Sequence, residues 1–483
     1  MEMNIHLKRF ISLFLPQKRS FVEMEKNCAV ILAGGEGKRM KSSLPKPMLK
    51  VLGVPMLDWV IEACKNADVS DICVVKGSGA DIIEEYLGER YYTVLQAERK
   101  GTGHAVMQAE SYLAEHIGGN TLVLCGDAPF IDSETIRNAL EIHENNGNAV
   151  TVITAMLDNP TGYGRIIRKG SEISGIVEQK DADDEQLEIR EINSGAYWFD
   201  TQALIAALKE LKPENTQGEY YLTDTIGILI SKNLKAGAYI STNPNVALGA
   251  NDRMGLLKLN DIARMSVITK LMADGVEFTC LDGVSIGKDV KIGAGTTILQ
   301  GTIIEGKTII GHDCVIGPNS LISECMVGNG TTLNSVQAYD SFIGDDTKIG
   351  PFVHIRPNST IKNGVKIGDF VEVKNSTIDD RTSIAHLTYI GDSDVGKHVN
   401  FGCGVVTVNY DGVKKARTTI GDNAFIGCNT NLIAPVSVGD GAYTAAGSTI
   451  TKDVPDGALG IERGNMRIIE GFADRKLENY KKK

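Results

Sequence analysis

Three groups of residues in this chain have types and spacings suited to chemistry. The first follows an apolar run, Cys28-Ala29-Val30-Ile31-Leu32, which ends in Ala33-Gly34-Gly35-Glu36-Gly37-Lys38-Arg39. A buried strand running into glycines and then basic residues presents backbone N–H groups to phosphate. The spacing is neither the dinucleotide fingerprint nor the Walker pattern, and alone such a loop is about as often a plain turn. Lys46, between Pro45 and Pro47, adds a cation shortly afterwards. The second group is Cys125-Gly126-Asp127, where a carboxylate closes another apolar run and is placed to hold a divalent cation. By itself Asp127 would also serve as a turn or helix cap. The third group is Arg356, Glu372, Lys374, His386 and Tyr389. Cations, a carboxylate and an imidazole inside an otherwise apolar repeat suit an anionic substrate and a proton transfer. A lone histidine in a repeat is more often structural, as His312, His354 and His398 illustrate, and His386 stands out through its neighbours.

The elements that must position these groups differ between the two halves. From Ile286 the residues Ile292, Ile298, Ile304, Ile310, Ile316 and Ile322 recur every sixth position. A second run continues through Ile343, Ile349, Ile355, Ile361, Ile367 and Val373, and a third through Ile420, Ile426, Leu432, Val438, Thr444 and Ile450. Four residues after each isoleucine of the first run comes a small or branched residue, from Val290 and Thr296 to Ser320. This is the pattern of a parallel β-helix built from hexapeptides, with one apolar side chain per flat face pointing inward. Neither a helix nor a half-buried strand has a period of six. If three hexapeptides make a coil, as in left-handed β-helices, Arg356 stacks on Lys374, and Lys374 and His386 converge at an edge. The phase slips between Ile322 and Ile343, which predicts a bulge or small loop, and a longer insertion at Gly404 to Thr419 leaves the coil.

The first half alternates apolar strands (Ile72 to Lys76, Thr121 to Cys125, Ala149 to Ala155) with helical patterns such as Trp59 to Lys65. That predicts a mostly parallel sheet covered on both faces, with ligands at the carboxyl ends of its strands. The expected fold is thus α/β plus β: a Rossmann-like domain over 25–250, a linker helix over 251–275, and a left-handed parallel β-helix over 276–465. Residues 1–24 read as a disordered extension ahead of a natural start at Met24, and 466–483 as a mobile polar tail. Phe10 to Leu15 imitates a signal peptide but is too short and lacks a cleavage site.

The net charge of −11 argues against a nucleic-acid-binding surface. Nine scattered cysteines without a paired CxxC read as reduced cytosolic thiols. No apolar run approaches the roughly 18 residues needed to span a bilayer.

Further motifs follow the glycine-rich loop in order. They are Gln96-Ala97-Glu98-x-x-Gly101-Thr102-Gly103-His104, Pro160-Thr161-Gly162-Tyr163-Gly164-Arg165, Val177-Glu178-x-Lys180, Glu191-Ile192-Asn193-Ser194-Gly195 and Gln217-Gly218-Glu219-Tyr220-Tyr221. With Leu32 to Arg39, Leu44-Pro45-Lys46-Pro47 and Cys125 to Pro129, this set resembles the sugar-phosphate nucleotidylyltransferases. With a hexapeptide β-helix behind it, the chain is similar, from Cys28 to about Arg463, to the bifunctional N-acetylglucosamine-1-phosphate uridylyltransferase/glucosamine-1-phosphate N-acetyltransferase family.

The resemblance implies a cytoplasmic, Mg²⁺-dependent enzyme with UTP and acetyl-CoA as cosubstrates, supplying cell-envelope precursors. In the N-terminal half, Arg39 and Lys46 would be catalytic, and Leu32, Ala33, Gly34, Gly35, Cys125, Gly126 and Asp127 would bind the nucleotide. Gln96, Gly101 and Thr102 would read the uracil, Gly164, Glu178 and Asn193 would hold the sugar, and Asp127 with Asn251 would hold Mg²⁺. In the β-helix, His386 would be the base, oriented by Glu372, with Arg356, Lys374, Tyr389 and Asn400 binding the acceptor. Cys403, Asn409, Tyr410, Cys428, Ala446 and Arg463 map to acetyl-CoA positions. Lys38 stands where the family usually has Thr, Cys125 where some members carry an aromatic, and Cys428 where Ser or Ala is frequent. The resemblance implies a homotrimer acting on small molecules, with neither nucleic acid nor membrane as partner. The rival readings are a single-function nucleotidylyltransferase with a structural or regulatory β-helix, and a scaffold whose two sites have decayed.

Overall fold

The computed structural model describes residues 27–35, 37–170 and 172–481. The extension expected over 1–24 lies outside them. The chain divides into two compact units, one ending at Leu259 and one starting at Asn260.

The first unit is built on a mixed sheet. Its strands are β1 (Cys28–Ala33), β2 (Ile72–Lys76), β3 (Tyr92–Leu95), β4 (Asn120–Cys125), β5 (Val150–Met156), β6 (Arg165–Lys169), β7 (Glu172–Val177), β8 (Glu191–Asp200) and β9 (Ala236–Ile240). The main path runs β9-β5-β8-β4-β1-β2-β3, with β6 and β7 forming a hairpin off β8. Strand β8 is antiparallel to both neighbours, and β1 pairs parallel with β2 and β4. The apolar run of β1 is explained by burial on both faces. Ala29, Ile31 and Ala33 enter one core, with Leu57 and Val60 of helix α1 (Met56–Asn66), while Cys28 and Val30 enter the other, with Val106 and Leu113. The strand order reverses at β1, so the crevice outside the carboxyl ends of β1 and β4 is where a ligand is received. The glycine-rich loop and Asp127 both lie there.

The second unit is a parallel β-helix. Its short strands form three ladders, one per face, with register partners close to 18 residues apart, as in Ile292↔Ile310. The sixth-position residues are buried throughout, Ile298, Ile304 and Ile316 completely. The small residues beside the corners are buried too. Thr296 shows why they are polar: its hydroxyl donates to Gly311 O (2.8 Å) and accepts from Cys314 N (3.0 Å), satisfying backbone at the bend.

Two irregularities differ from expectation. The phase slip after Ile322 is not a bulge or loop. Corners shorten, so that partners stand 17 apart at Ile310↔Val327 and 16 apart at Ile322↔Ala338, and the ladders continue unbroken. The insertion is also shorter than predicted. Val406–Val408 stays in the ladder, and the chain leaves only after it, returning at Thr418–Ile420. The predicted joining helix is Arg253–Ala273, and its last turns bury Ile268 and Leu271 against the first coil. In the tail, Phe472–Lys481 is helical, and exposed where described.

Candidate functional site

Two sites take shape, one in each unit. In the first, Lys46 is the hub: its ammonium lies 2.5 Å from Asp127 Oδ2 and donates to Asn251 Oδ1 at 3.0 Å. Three segments far apart in sequence thus meet at one point. A cation held between a carboxylate and an amide oxygen occupies the place expected of Mg²⁺, so the donor pair fits a hard divalent ion. Arg39 is exposed at the end of the loop. Gly34 packs against Gly77 so closely that a Cβ on Gly77 would stand 2.7 Å from Gly34 Cα, which is why this loop crossing is made of glycine. Gly126 N donates to Leu32 O (2.9 Å), tying the Asp127 turn to the end of β1.

The turn holding Gln96, Gly101 and Thr102 is fixed against the segment at Tyr220 and Leu222. Gln96 is buried and its amide donates to Gly101 O at 3.0 Å. Thr102 Oγ1 accepts from Leu222 N (3.0 Å), and Gly103 N donates to Tyr220 O (2.8 Å). Gly101 has a φ of 105° with Tyr220 O where a Cβ would stand. Gly164, Glu178 and Asn193 also converge. Asn193 N donates to Gly164 O (2.9 Å), and a Cβ on Gly164 would stand 3.4 Å from Glu178 Oε2. Glu178 lines an open cleft of about 670 Å³ with Asp181, Tyr221 and Asp224, and burial pushes its carboxyl above the usual range. The Cys125 thiol is pushed up to about 12, by burial first and then by the Asp127 charge, so it is a packing group rather than a nucleophile.

In the β-helix, the strands that carry the site are β10 (Val353–Ile355), β11 (Lys366–Asp369), β12 (Glu372–Lys374), β13 (Ser383–His386) and β14 (Tyr389–Gly391). Register places Ile355 beside Val373, so Arg356 and Lys374 follow one another up the same face. Arg356 donates to Glu372 Oε1 at 2.9 Å. Lys374 Nζ lies 3.6 Å from Asp392 Oδ2, and Asn409 Nδ2 donates to the same oxygen. Asp392 is only 4 % exposed. Burial raises its carboxyl, but the amides of Asn375 and Asn409 and the Lys374 charge outweigh this and hold it below the usual range. Gly391 gives room for the group: a Cβ there would stand 2.4 Å from Tyr389 Oη and 2.8 Å from Asn409 Nδ2. Cys403, Cys428 and Ala446 line up along one corner, since Asn429 N donates to Cys403 O and Gly447 N to Cys428 O, both at 2.8 Å. Asn400 and Tyr410 are exposed nearby in sequence, and Arg463 is exposed beyond the last strand.

One expectation is corrected. Glu372 does not orient His386: it is bound to Arg356, and its register partner in the next coil is Tyr389. The carboxylate on His386 is Asp369, with Oδ1 3.0 Å from Nδ1. The two carboxylates sit on different faces, which only the coil register reveals.

Family models agree with this division. A nucleotidyl transferase model matches residues 28–244, a bacterial transferase hexapeptide model (six repeats) matches 340–375 and 417–452, and a hexapeptide repeat of succinyl-transferase matches 275–305. The Bifunctional protein GlmU of Acetivibrio thermocellus is 48% identical over 94% of this chain and 98% of its own length. The protein of the same description from Clostridium perfringens is 48% identical over 93% of this chain and 99% of its own. The chain belongs to the bifunctional GlmU family. It is a bifunctional transferase with a nucleotidyltransferase half and a hexapeptide acyltransferase half. The GlmU likeness covers both sites, so the readings of a one-activity enzyme and of a decayed scaffold are set aside.

Sequence reasoning missed Asp369, Asn375 and Asp392. Asp369 lies 17 residues before His386, and Asp392 lies 18 after Lys374. The 18-residue spacing that stacked Arg356 on Lys374 was therefore a usable signal for Asp392, whereas Asp369 stands one residue off that count.

Proposed function

We propose that the chain makes UDP-N-acetylglucosamine in two steps in the cytoplasm, consistent with the absence, among the described residues, of any helix long and apolar enough to cross a membrane. The β-helix acetylates glucosamine 1-phosphate. The substrate amine attacks the acetyl-CoA thioester carbonyl, His386 takes the ammonium proton, and CoA leaves as the thiol. Arg356 and Lys374 bind the acceptor phosphate, with Tyr389 and Asn400 beside it. Asn409, Tyr410, Cys403, Cys428, Ala446 and Arg463 receive acetyl-CoA.

The first unit then joins the product to UTP. The sugar phosphate oxygen attacks the α-phosphorus in line, and pyrophosphate leaves. Arg39, Lys46 and the loop amides neutralise the phosphate charge, and Asp127 and Asn251 would hold the metal. Mg²⁺ held there would stabilise charge on the transferring phosphoryl oxygens. Gln96, Gly101 and Thr102 read the base, while Gly164, Glu178 and Asn193 hold the sugar. We place the uridylyltransferase over 25–250, the joining helix over 251–275 and the acetyltransferase over 276–465. A homotrimer would let adjacent β-helices complete the acyl-CoA grooves.

The observation that carries this reading is the convergence of Lys46, Asp127 and Asn251 in a chain that also holds Arg356, Lys374 and His386. Purified protein given glucosamine 1-phosphate, acetyl-CoA, UTP and Mg²⁺ should release CoA first and pyrophosphate after it. His386→Ala should lose roughly 10²-fold or more of the CoA release while keeping pyrophosphate release from N-acetylglucosamine 1-phosphate. Loss of both activities in an intact trimer would refute the division of labour.

A further inference from the structure

The β-helix site contains a carboxylate that the activity described above does not use. Strands β11 and β13 lie side by side in parallel register, with Asp369 directly beside His386. Leu387 N donates to Asp369 O at 2.9 Å, so the backbone of the pair is locked by the ladder itself. After each of them the chain turns a corner through a left-handed residue, Phe370 at φ 58° and Leu387 at φ 39°. Both side chains therefore leave the coil at the same edge, one coil apart. Thr388 Oγ1 donates to His386 O at 2.7 Å and steadies the turn. Asp369 Oδ1 then stands 3.0 Å from Nδ1 of His386. The other nearby carboxylate is engaged, since Glu372 accepts from Arg356.

We infer that Asp369 is the positioning residue for His386 in acetyl transfer, holding the proton on Nδ1 so that Nε2 keeps its lone pair toward the acceptor amine. The inference rests on the reading of His386 as the base. A carboxylate can only accept at Nδ1, which selects one tautomer and one ring orientation. The His386 hydrogen bond holds the Asp369 carboxyl below the usual carboxylate range, so the acceptor is ionised. When Nε2 takes the ammonium proton, the resulting imidazolium faces the Asp369 charge. The proton moves from the amine to Nε2 as the C–N bond forms and passes to the departing CoA sulfur as the C–S bond breaks, which leaves His386 neutral again.

The test uses the full chain. Asp369→Asn should lower kcat for acetyl transfer by about tenfold, and leave KM for glucosamine 1-phosphate and acetyl-CoA within about twofold, since orientation and not binding is lost. Asp369→Glu should restore part of kcat. In histidine-labelled protein, ¹⁵N spectra should show His386 with a protonated Nδ1 and a bare Nε2, the signal being assigned by its loss in His386→Gln. An unchanged kcat in a folded Asp369→Asn variant, or a His386 protonated at Nε2 instead, would overturn the inference. If Asp369→Asn does not fold, the tautomer of the unsubstituted protein decides alone. Failure of the parent reading looks different: unsubstituted protein that releases no CoA, in which case the catalytic role falls with it.

Discussion

Lys46 shows how much of the nucleotide site rests on a single side chain. Its ammonium joins a loop residue to Asp127 and Asn251, and each of these oxygens would otherwise lack that cation. Lys46→Ala should reduce uridylyl transfer by about 10²-fold, as expected for loss of one charge-stabilising group, and spare acetyl transfer; separate assays of pyrophosphate and CoA check this. A second single-residue effect concerns stability. His143 is buried between Thr151 Oγ1 (3.0 Å) and Asn120 Oδ1 (3.2 Å), and burial lowers its pKa from 6.5 to about 4. Between these values the unfolded chain binds a proton that the folded chain refuses. Stability should therefore fall as pH drops from 6.5 toward 4, by ~3 kcal/mol over the window, and level off below it. Urea midpoints of the first unit at pH 7 and pH 5 measure this, and His143→Gln should flatten the difference.

At the scale of elements, both sites depend on a close approach that only glycine permits. The loop after β1 crosses the turn after β2 at Gly34 and Gly77, where an added Cβ would meet Gly34 O at 2.8 Å as well as Gly34 Cα. The obstruction is backbone and cannot swing aside. Gly77→Ala should therefore displace the phosphate loop, raising KM for UTP and destabilising the unit by roughly 1–3 kcal/mol. The β-helix has its counterpart in Gly391, whose missing Cβ leaves room for Tyr389 and Asn409. Gly391→Ala should lower acetyl transfer and leave uridylyl transfer as it was. The two substitutions together form a reciprocal test, in which each damages the activity of its own unit.

At the scale of the molecule, the exposed edge of the β-helix matters most. Phe352 and Phe370 stack with ring centroids 5.5 Å apart, and both are exposed, as is Leu387 in the following coil. A column of large apolar side chains on a corner is what an interface between copies needs. Asp369 and His386 stand at this same edge, adjoining Phe370 and Leu387 in sequence. Under the proposed trimer, Phe370→Asp should shift the protein to monomer by light scattering and lower acetyl transfer with it. A trimer that persisted with full activity would mean that another face assembles the molecule.

The six-residue period by itself determined the β-helix, because an inward side chain on each flat face is a constraint every coil repeats. The ordered motifs likewise made the nucleotide site legible: glycines are demanded where backbones touch, and cations where phosphate charge is met. The tertiary structure alone decided which carboxylate meets which basic group. Coils of 16 and 17 residues occur as well as 18, so the register of distant side chains cannot be counted from an ideal repeat. That register puts Asp369 on His386, Glu372 on Arg356 and Asp392 between Lys374 and Asn409. The meeting of Lys46 with Asn251, 205 residues away, is of the same kind, because a contact between segments so far apart exists only once the chain has closed its sheet.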